Sequence, residues 1–164
     1  MPYISGSKIE VLMEIAINKL IVEDIDQVIQ IEKEVFSNPW EESAFYSSLD
    51  HSCCWKLSDK LSKKIIGYLI GQQVLDEFSI YNLAICREYQ NQGLGSWFTR
   101  KILNEMRDNG SRVFFLEVRR SNEAALQLYG NLGFKEAHVR RGYYSNPVED
   151  ALIMIKDERN YEKG

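Results

Sequence analysis

Three groups of residues in this chain have the types and spacing that chemistry would need. The first is Gln90-Asn91-Gln92-Gly93-Leu94-Gly95-Ser96, which places two glycines between an apolar run, Ile80 to Ile85, and an amphipathic stretch. The first turn of a helix leaves backbone N–H groups without intrahelical partners and carries the positive end of the macrodipole, so an entry stripped of side chains lets a phosphate sit on those groups. The plainer use of two glycines is a tight strand-to-helix turn. There is no G-x-G-x-x-G, and no Lys-Ser/Thr follows the second glycine, so the stretch is neither a dinucleotide fingerprint nor a P-loop.

The second is Glu117, the one ionisable residue inside Val113-Phe114-Phe115-Leu116-Glu117-Val118. Strand alternation puts it on the same face as Val113 and Phe115. It can be a general base, held partly desolvated so that its pKa rises from about 4.3 toward the working pH. It can equally be the partner of Arg119, two residues on and on the same face. The third is Tyr129, which shares a helical stripe with Asn122 and Ala125 because seven residues make nearly two turns. Its ring can pack in the core, or its hydroxyl can protonate a leaving thiolate. The small Ala124 and Ala125 leave room for a slender ligand arm, although alanine is also the best helix former.

These residues need elements to carry them. Glu14 to Lys19 alternates as a first strand, and Val22 to Phe36 carries Ile25, Val28, Ile29, Ile31, Val35 and Phe36 at helical spacing. Asn38-Pro39 ends that helix, and a second, Glu41 to Leu49, follows Trp40. Cys53 to Leu57, Ile65 to Val74 and Phe78 to Ile85 read as an antiparallel meander. Helices are expected over Leu94 to Asp108, stopped by Asn109-Gly110, and from a cap at Ser121 or Asn122 through Leu132, stopped by Gly133. Val113 to Val118 is a strand covered on both faces. Two last strands, about Lys135 to Arg140 and Ala151 to Ile155, flank a loop containing Tyr143-Tyr144 and Pro147.

The 164 residues, 45% hydrophobic and 27% charged, predict one globular domain. Residues 1–12 are expected to be a flexible leader, 13–158 the domain and 159–164 a tail. A net charge of −4 argues against a nucleic-acid-coating protein and suits a basic peptide partner. The three cysteines have neither a disulfide framework nor metal-ligand spacing, and His51 and His138 are far apart, so the expectation is a reducing cytoplasm and no metal. Ser5, Gly6, Ser7, Lys8 and Glu10 interrupt any apolar run near the start, so neither a signal peptide nor a membrane span is expected there.

The loop Gln90 to Ser96, then Leu116-Glu117-Val118-Arg119, Ser121-Asn122-Glu123-Ala124-Ala125, Leu128-Tyr129 and Leu132-Gly133-Phe134, resemble in order and spacing the GCN5-related N-acetyltransferases (GNAT). Asn38-Pro39-Trp40, Arg140-Arg141-Gly142-Tyr143-Tyr144 and Glu149-Asp150-Ala151 resemble the RimI group, the ribosomal-protein alanine acetyltransferases. The resemblance implies an α/β (α+β mixed) fold: a single domain with a central mixed, mostly antiparallel twisted sheet, splayed between the fourth and fifth strands and flanked by about four helices. It implies acetyl-CoA as acetyl donor, with Leu83, Ala84 and Ile85 pairing with the pantetheine arm. Gln90, Asn91, Gln92, Gly93, Leu94, Gly95 and Ser96 would lie at the pyrophosphate, and Asn122 and Ala125 along the cofactor arm. Glu117 matches the family's proton acceptor and Tyr129 its proton donor. Pro39, Trp40, Tyr143 and Tyr144 match segments bordering an acceptor peptide, and the acceptor implied is the N-terminal α-amine of a ribosomal protein. A monomer or weak dimer that binds neither nucleic acid nor membrane is expected.

Two other readings use the same residues: an acetyltransferase of lysine side chains or small amines, and a non-catalytic acyl-CoA-binding module. Retention of both Glu117 and Tyr129 weighs against the module, which needs only the loop. Two departures from the family pattern stand out. The chain begins about a dozen residues before the usual first strand, and Ser145-Asn146-Pro147-Val148 is a shortened loop lacking Gly-Arg before Glu149-Asp150. The second bears on peptide selectivity.

Overall fold

The alternations and helical stripes settle into seven strands and four helices in the computed structural model, which describes residues 14–160. The expected leader lies outside the described residues, as do residues 161–164 of the expected tail. In chain order the elements are β1 (Ile15–Lys19), α1 (Ile25–Val35), α2 (Glu42–His51), β2 (Cys53–Asp59), β3 (Ile65–Val74), β4 (Glu77–Ile85), α3 (Leu94–Asp108), β5 (Val113–Arg119), α4 (Glu123–Asn131), β6 (Lys135–Tyr144) and β7 (Glu149–Asp157), with short 3-10 turns at Val22–Asp24 and Arg87–Tyr89. The strands form one sheet in the order β1-β2-β3-β4-β5-β7-β6. β4 and β5 run parallel; β1 with β2, β5 with β7 and β6 with β7 run antiparallel. This is the mixed sheet expected of a GNAT fold.

The chain forms two compact units, one reaching through Ile70 and including Asn82–Phe98, the other made of Gly71–Tyr81 and Thr99 onward. In the first, α1 turns Ile25, Val28, Ile29 and Ile31 inward with Phe45 of α2, Cys54, Ile65, Tyr68, Ile70, Ala84 and Cys86. Each large apolar side chain buried in this way contributes about 1.5–3 kcal/mol. The α1 stripe begins later than the sequence suggests, because Val22–Asp24 is a 3-10 turn. Asp24 in that turn is tied to Lys56 of β2 at 2.7 Å and accepts the Ile21 N–H at 2.9 Å.

In the second unit Phe78 of β4 meets Phe114 of β5 edge to face at 6.4 Å, and Ile102, Leu103 and Met106 of α3 are buried. β4 and β5 pair through Glu77–Ile80 and Val113–Leu116, and Tyr81–Ile85 and Glu117–Arg119 continue past that register. One expectation is corrected here: Tyr143 and Tyr144 lie on β6, not in a loop. The strand continues through a bulge between Arg140 and Tyr144, where Gly142 takes φ 61° and gives its N–H to Asp150 Oδ1 at 3.0 Å. That bulge brings Tyr144 opposite Glu149, so only Ser145–Val148 connect β6 to β7.

Candidate active site

In the first unit the candidates are the end of β4 and the glycine loop. Ala84 and Ile85 are buried, and Leu83 is half-buried. Gln90 donates from Nε2 to Ile85 O at 2.8 Å, and Gln92 donates from Nε2 to Glu88 O at 3.1 Å, so both amides hold the loop's own backbone. Asn91 and Gly93 have φ of 60° and 80°. Asparagine is among the few side chains that tolerate this left-handed region, and glycine enters it without steric cost. The chain therefore turns sharply into α3, whose Leu94 is buried as an anchor. The Trp97 N–H donates to Gly93 O at 3.0 Å, and Leu94, Gly95 and Ser96 open α3; the first turn of a helix points its backbone amides N-terminally. This is a donor set suited to a phosphate.

Also in the first unit, Pro39 is exposed while Trp40 packs against the core, its ring 5.6 Å from Phe45. The Trp40 N–H donates to Glu32 Oε1 at 2.8 Å. Glu32 is 1% exposed and also accepts from Tyr68 Oη and from Asn82 Nδ2, the latter at 3.0 Å. Burial, then the neighbouring Glu32 carboxylate, push the Tyr68 phenol up. Sequence reasoning missed this cluster. The available signal was Glu32 itself, an acid four residues after Val28 and three after Ile29 on the apolar stripe of α1.

In the second unit Glu117 is exposed rather than desolvated, and its partner is not Arg119. Glu117 Oε1 lies 3.1 Å from Arg140 Nη1 of β6, and Tyr143, which is also over the Arg140 guanidinium at 5.3 Å, hydrogen-bonds the same carboxylate. The sheet register explains the exchange. Arg119 stands opposite Ala151, at the end of β5 nearest the connection, where it reaches Glu149 at 3.7 Å, the Ser145 and Pro147 carbonyls, and the face of Tyr144 at 4.3 Å. Tyr143 and Tyr144 meet edge to face at 5.1 Å. The structure thus brings Glu117, Arg140, Tyr143 and Tyr144 together.

Asn122 caps α4, its Oδ1 accepting the Ala125 N–H at 3.1 Å, which leaves Nδ2 to donate. Ala125 is half-buried and Tyr129 buried, its ring edge-on to Phe134 at 5.6 Å. Burial pushes the Tyr129 phenol above its ordinary value. Among the described residues no group of three or more His, Cys, Asp or Glu is placed to hold a metal, and no helix is long and apolar enough to cross a membrane. Cys53, Cys54 and Cys86 are free thiols; burial pushes Cys54 up to about 11.

The acetyltransferase (GNAT) family model matches residues 25–134. The chain is 37% identical over 142 residues to the [ribosomal protein bS18]-alanine N-acetyltransferase of Escherichia coli, covering 84% of this chain and 94% of that one. The crystal structure of the Escherichia coli ribosomal-protein alanine N-acetyltransferase superposes with a TM-score of 0.82 at 35% identity, over 88% of this chain and 94% of that chain. Arabidopsis thaliana NAA60, solved in complex with acetyl-CoA, shares the fold at a TM-score of 0.78 and 17% identity, over 88% of this chain and 98% of that chain. A family model spanning most of the chain and a relative aligned along nearly its whole length agree: this enzyme belongs to the GNAT family of acetyltransferases.

Proposed function

We propose that this enzyme transfers the acetyl group of acetyl-CoA to the N-terminal α-amine of a protein, the N-terminal alanine of ribosomal protein bS18. The observation that carries this reading is the 37% identity, over 94% of its length, to a relative named for that reaction. Residues 13–158 act as one acetyltransferase domain. The cytoplasm is the proposed compartment, where free thiols such as Cys53, Cys54 and Cys86 stay reduced.

The donor set at the start of α3 supports the pyrophosphate role of Gln90 to Ser96, and the backbone of Leu83 to Ile85 pairs with the pantetheine arm. Asn122 serves that arm through Nδ2, because its Oδ1 holds the helix cap. Pro39-Trp40 and Tyr143-Tyr144 border the acceptor. Glu117 takes a proton from the attacking amine as the N–C bond forms and the C–S bond breaks; CoA leaves as a thiolate held by a hydrogen bond from Tyr129, and takes up from solvent one proton in place of the one Glu117 gives back to it. The protons balance. Tyr129 serves best as a hydrogen-bond donor to the departing sulfur, because its raised pKa makes outright transfer to a thiol of pKa about 8.5 uphill. Alignment of amine and thioester supplies much of the rate. An α-amine, with pKa about 7.7–8.0 against about 10.4 for lysine, is easier to neutralise at pH 7 by about 3 kcal/mol.

The test is release of free CoA thiol with three acceptors: a peptide with a free N-terminal alanine, the same peptide blocked but carrying an internal lysine, and a polyamine. Activity confined to the free N-terminus is expected. Preference for either other acceptor overturns the substrate, and acetyl-CoA binding without turnover on any of them overturns the enzyme assignment of these residues. Glu117→Gln is expected to bind acetyl-CoA normally and to lower kcat by about 10²–10⁴. Full activity of that variant across pH 6–9 would remove Glu117 from the role of base.

A further inference from the structure

A carboxylate at 1% exposure on the inner face of α1 is costly twice over: it is stripped of water, and it lies in the last turns of the helix, where the macrodipole disfavours negative charge. Apolar side chains of similar volume commonly replace such groups without loss of stability, so core packing alone does not explain Glu32. Its hydrogen bonds do. Oε2 accepts from Tyr68 of β3 and from Asn82 of β4, the residue before Leu83. Oε1 accepts the Trp40 N–H at 2.8 Å. That amide belongs to the stretch between Val35 and Glu42, which has no helix or strand of its own to hold it.

We propose that Glu32 is a positioning residue that ties the acceptor-bordering Trp40 loop to the strand that carries the acetyl-CoA arm. This rests on the acceptor role assigned above to Pro39-Trp40. Glu32 holds the loop through the Trp40 N–H, while the other oxygen of the same carboxylate is held by β3 and β4. The register of the loop against β4 is therefore set inside the core, away from the reacting atoms. Loss of the bond loosens the loop's backbone, with the Trp40 ring still against Phe45, and touches no group assigned to acetyl-CoA.

The test measures acceptor KM, kcat and acetyl-CoA Kd on the full chain. Glu32→Ala is expected to raise acceptor KM about tenfold with Kd unchanged, and Glu32→Gln, whose amide oxygen still accepts from Trp40, to recover most of that loss. Replacing tryptophan at position 40 with its α-hydroxy acid turns the N–H into an ester oxygen and deletes the one bond in a chain that keeps every side chain. This substitution is expected to raise acceptor KM about threefold to tenfold even if Glu32→Ala does not fold. An unchanged acceptor KM in the ester protein, or a Kd for acetyl-CoA that weakens in step with KM, overturns the proposal. Trp40→Ala separates the two readings. If it raises acceptor KM while the ester does not, only the role of Glu32 fails; if it leaves KM unchanged, the acceptor role of the loop fails with it.

Discussion

Gly67 sits on β3 against the end of β4, and a methyl group there has nowhere to go. A Cβ at this position would lie 2.6 Å from Ile85 Cδ1 and 2.8 Å from the Ala84 carbonyl oxygen. The isoleucine terminus can rotate away; the carbonyl is backbone. To reach an ordinary contact of 3.4 Å the Ala84 carbonyl must move by about 0.6 Å, in an interior packed too tightly to absorb it silently. Overpacking costs about 1–3 kcal/mol, and the stiffer unfolded chain of the alanine variant returns part of that, so Gly67→Ala should lose about 1–2 kcal/mol in urea unfolding. Ala84 belongs to the segment assigned to acetyl-CoA. A displaced carbonyl there should weaken one hydrogen bond and raise the acetyl-CoA Kd, by titration calorimetry, about threefold to tenfold. Gly71→Ala is the control: its Cβ would clash with Phe78 Cζ and lie 2.6 Å from Ser79 O, earlier on β4 than that segment. It should lose at least as much stability with Kd unchanged. Normal acetyl-CoA affinity in a destabilised Gly67→Ala protein, or equal loss of affinity in both variants, would refute the assignment of Leu83 to Ile85.

Tyr129→Phe should keep its acetyl-CoA affinity and lower single-turnover rates about tenfold to hundredfold, because it removes only the hydroxyl proposed above to donate to the departing sulfur. Arg107 grips Glu158 through Nε and Nη2, both at 2.6 Å, and this pairing holds the Glu158 carboxyl below the usual carboxylate range. A depressed folded pKa gives stability that is present above the unfolded value of about 4.3 and is lost as pH falls through the folded one. Glu158→Gln should therefore be less stable than the parent by about 1–3 kcal/mol at pH 7, with the gap closing below pH 4 in urea titrations. Tyr68 has the opposite sign: its folded pKa is raised, so its contribution is intact below about pH 10 and falls as pH climbs beyond. Thermal midpoints of Tyr68→Phe should decline less steeply than those of the parent above pH 10.

Local signals were legible in the sequence and long-range partners were not. The start of α3 at Leu94 and the Asn122 cap of α4 follow from a few neighbouring residues, and their spacing suffices. The partner of Glu117 depends on how β5, β7 and β6 register, which brings Arg140 to the carboxylate and sends the nearer Arg119 toward the connection. Tyr143 and Tyr144 read as loop because Gly142 looks like punctuation, whereas it forms a bulge that lets β6 continue. Glu32 was overlooked because a charged residue on a helix reads as a solvent-facing position. Only the meeting of β3, β4 and the stretch between α1 and α2 supplies the three donors that let it sit inside.

The insertion of β7 between β5 and β6 has a consequence for biosynthesis. β5 cannot find its antiparallel neighbour, nor β6 its own, until residues near Asp157 have been made, so the second unit's sheet is completed last. Chains are made from the N-terminus at about 5–20 residues per second, and contacts this distant in sequence form slowly. On a translating ribosome β5 and β6 lack their shared neighbour until then. Glu117 and Arg140, one on each of those strands, can be joined in their native geometry only after β7 has paired with both.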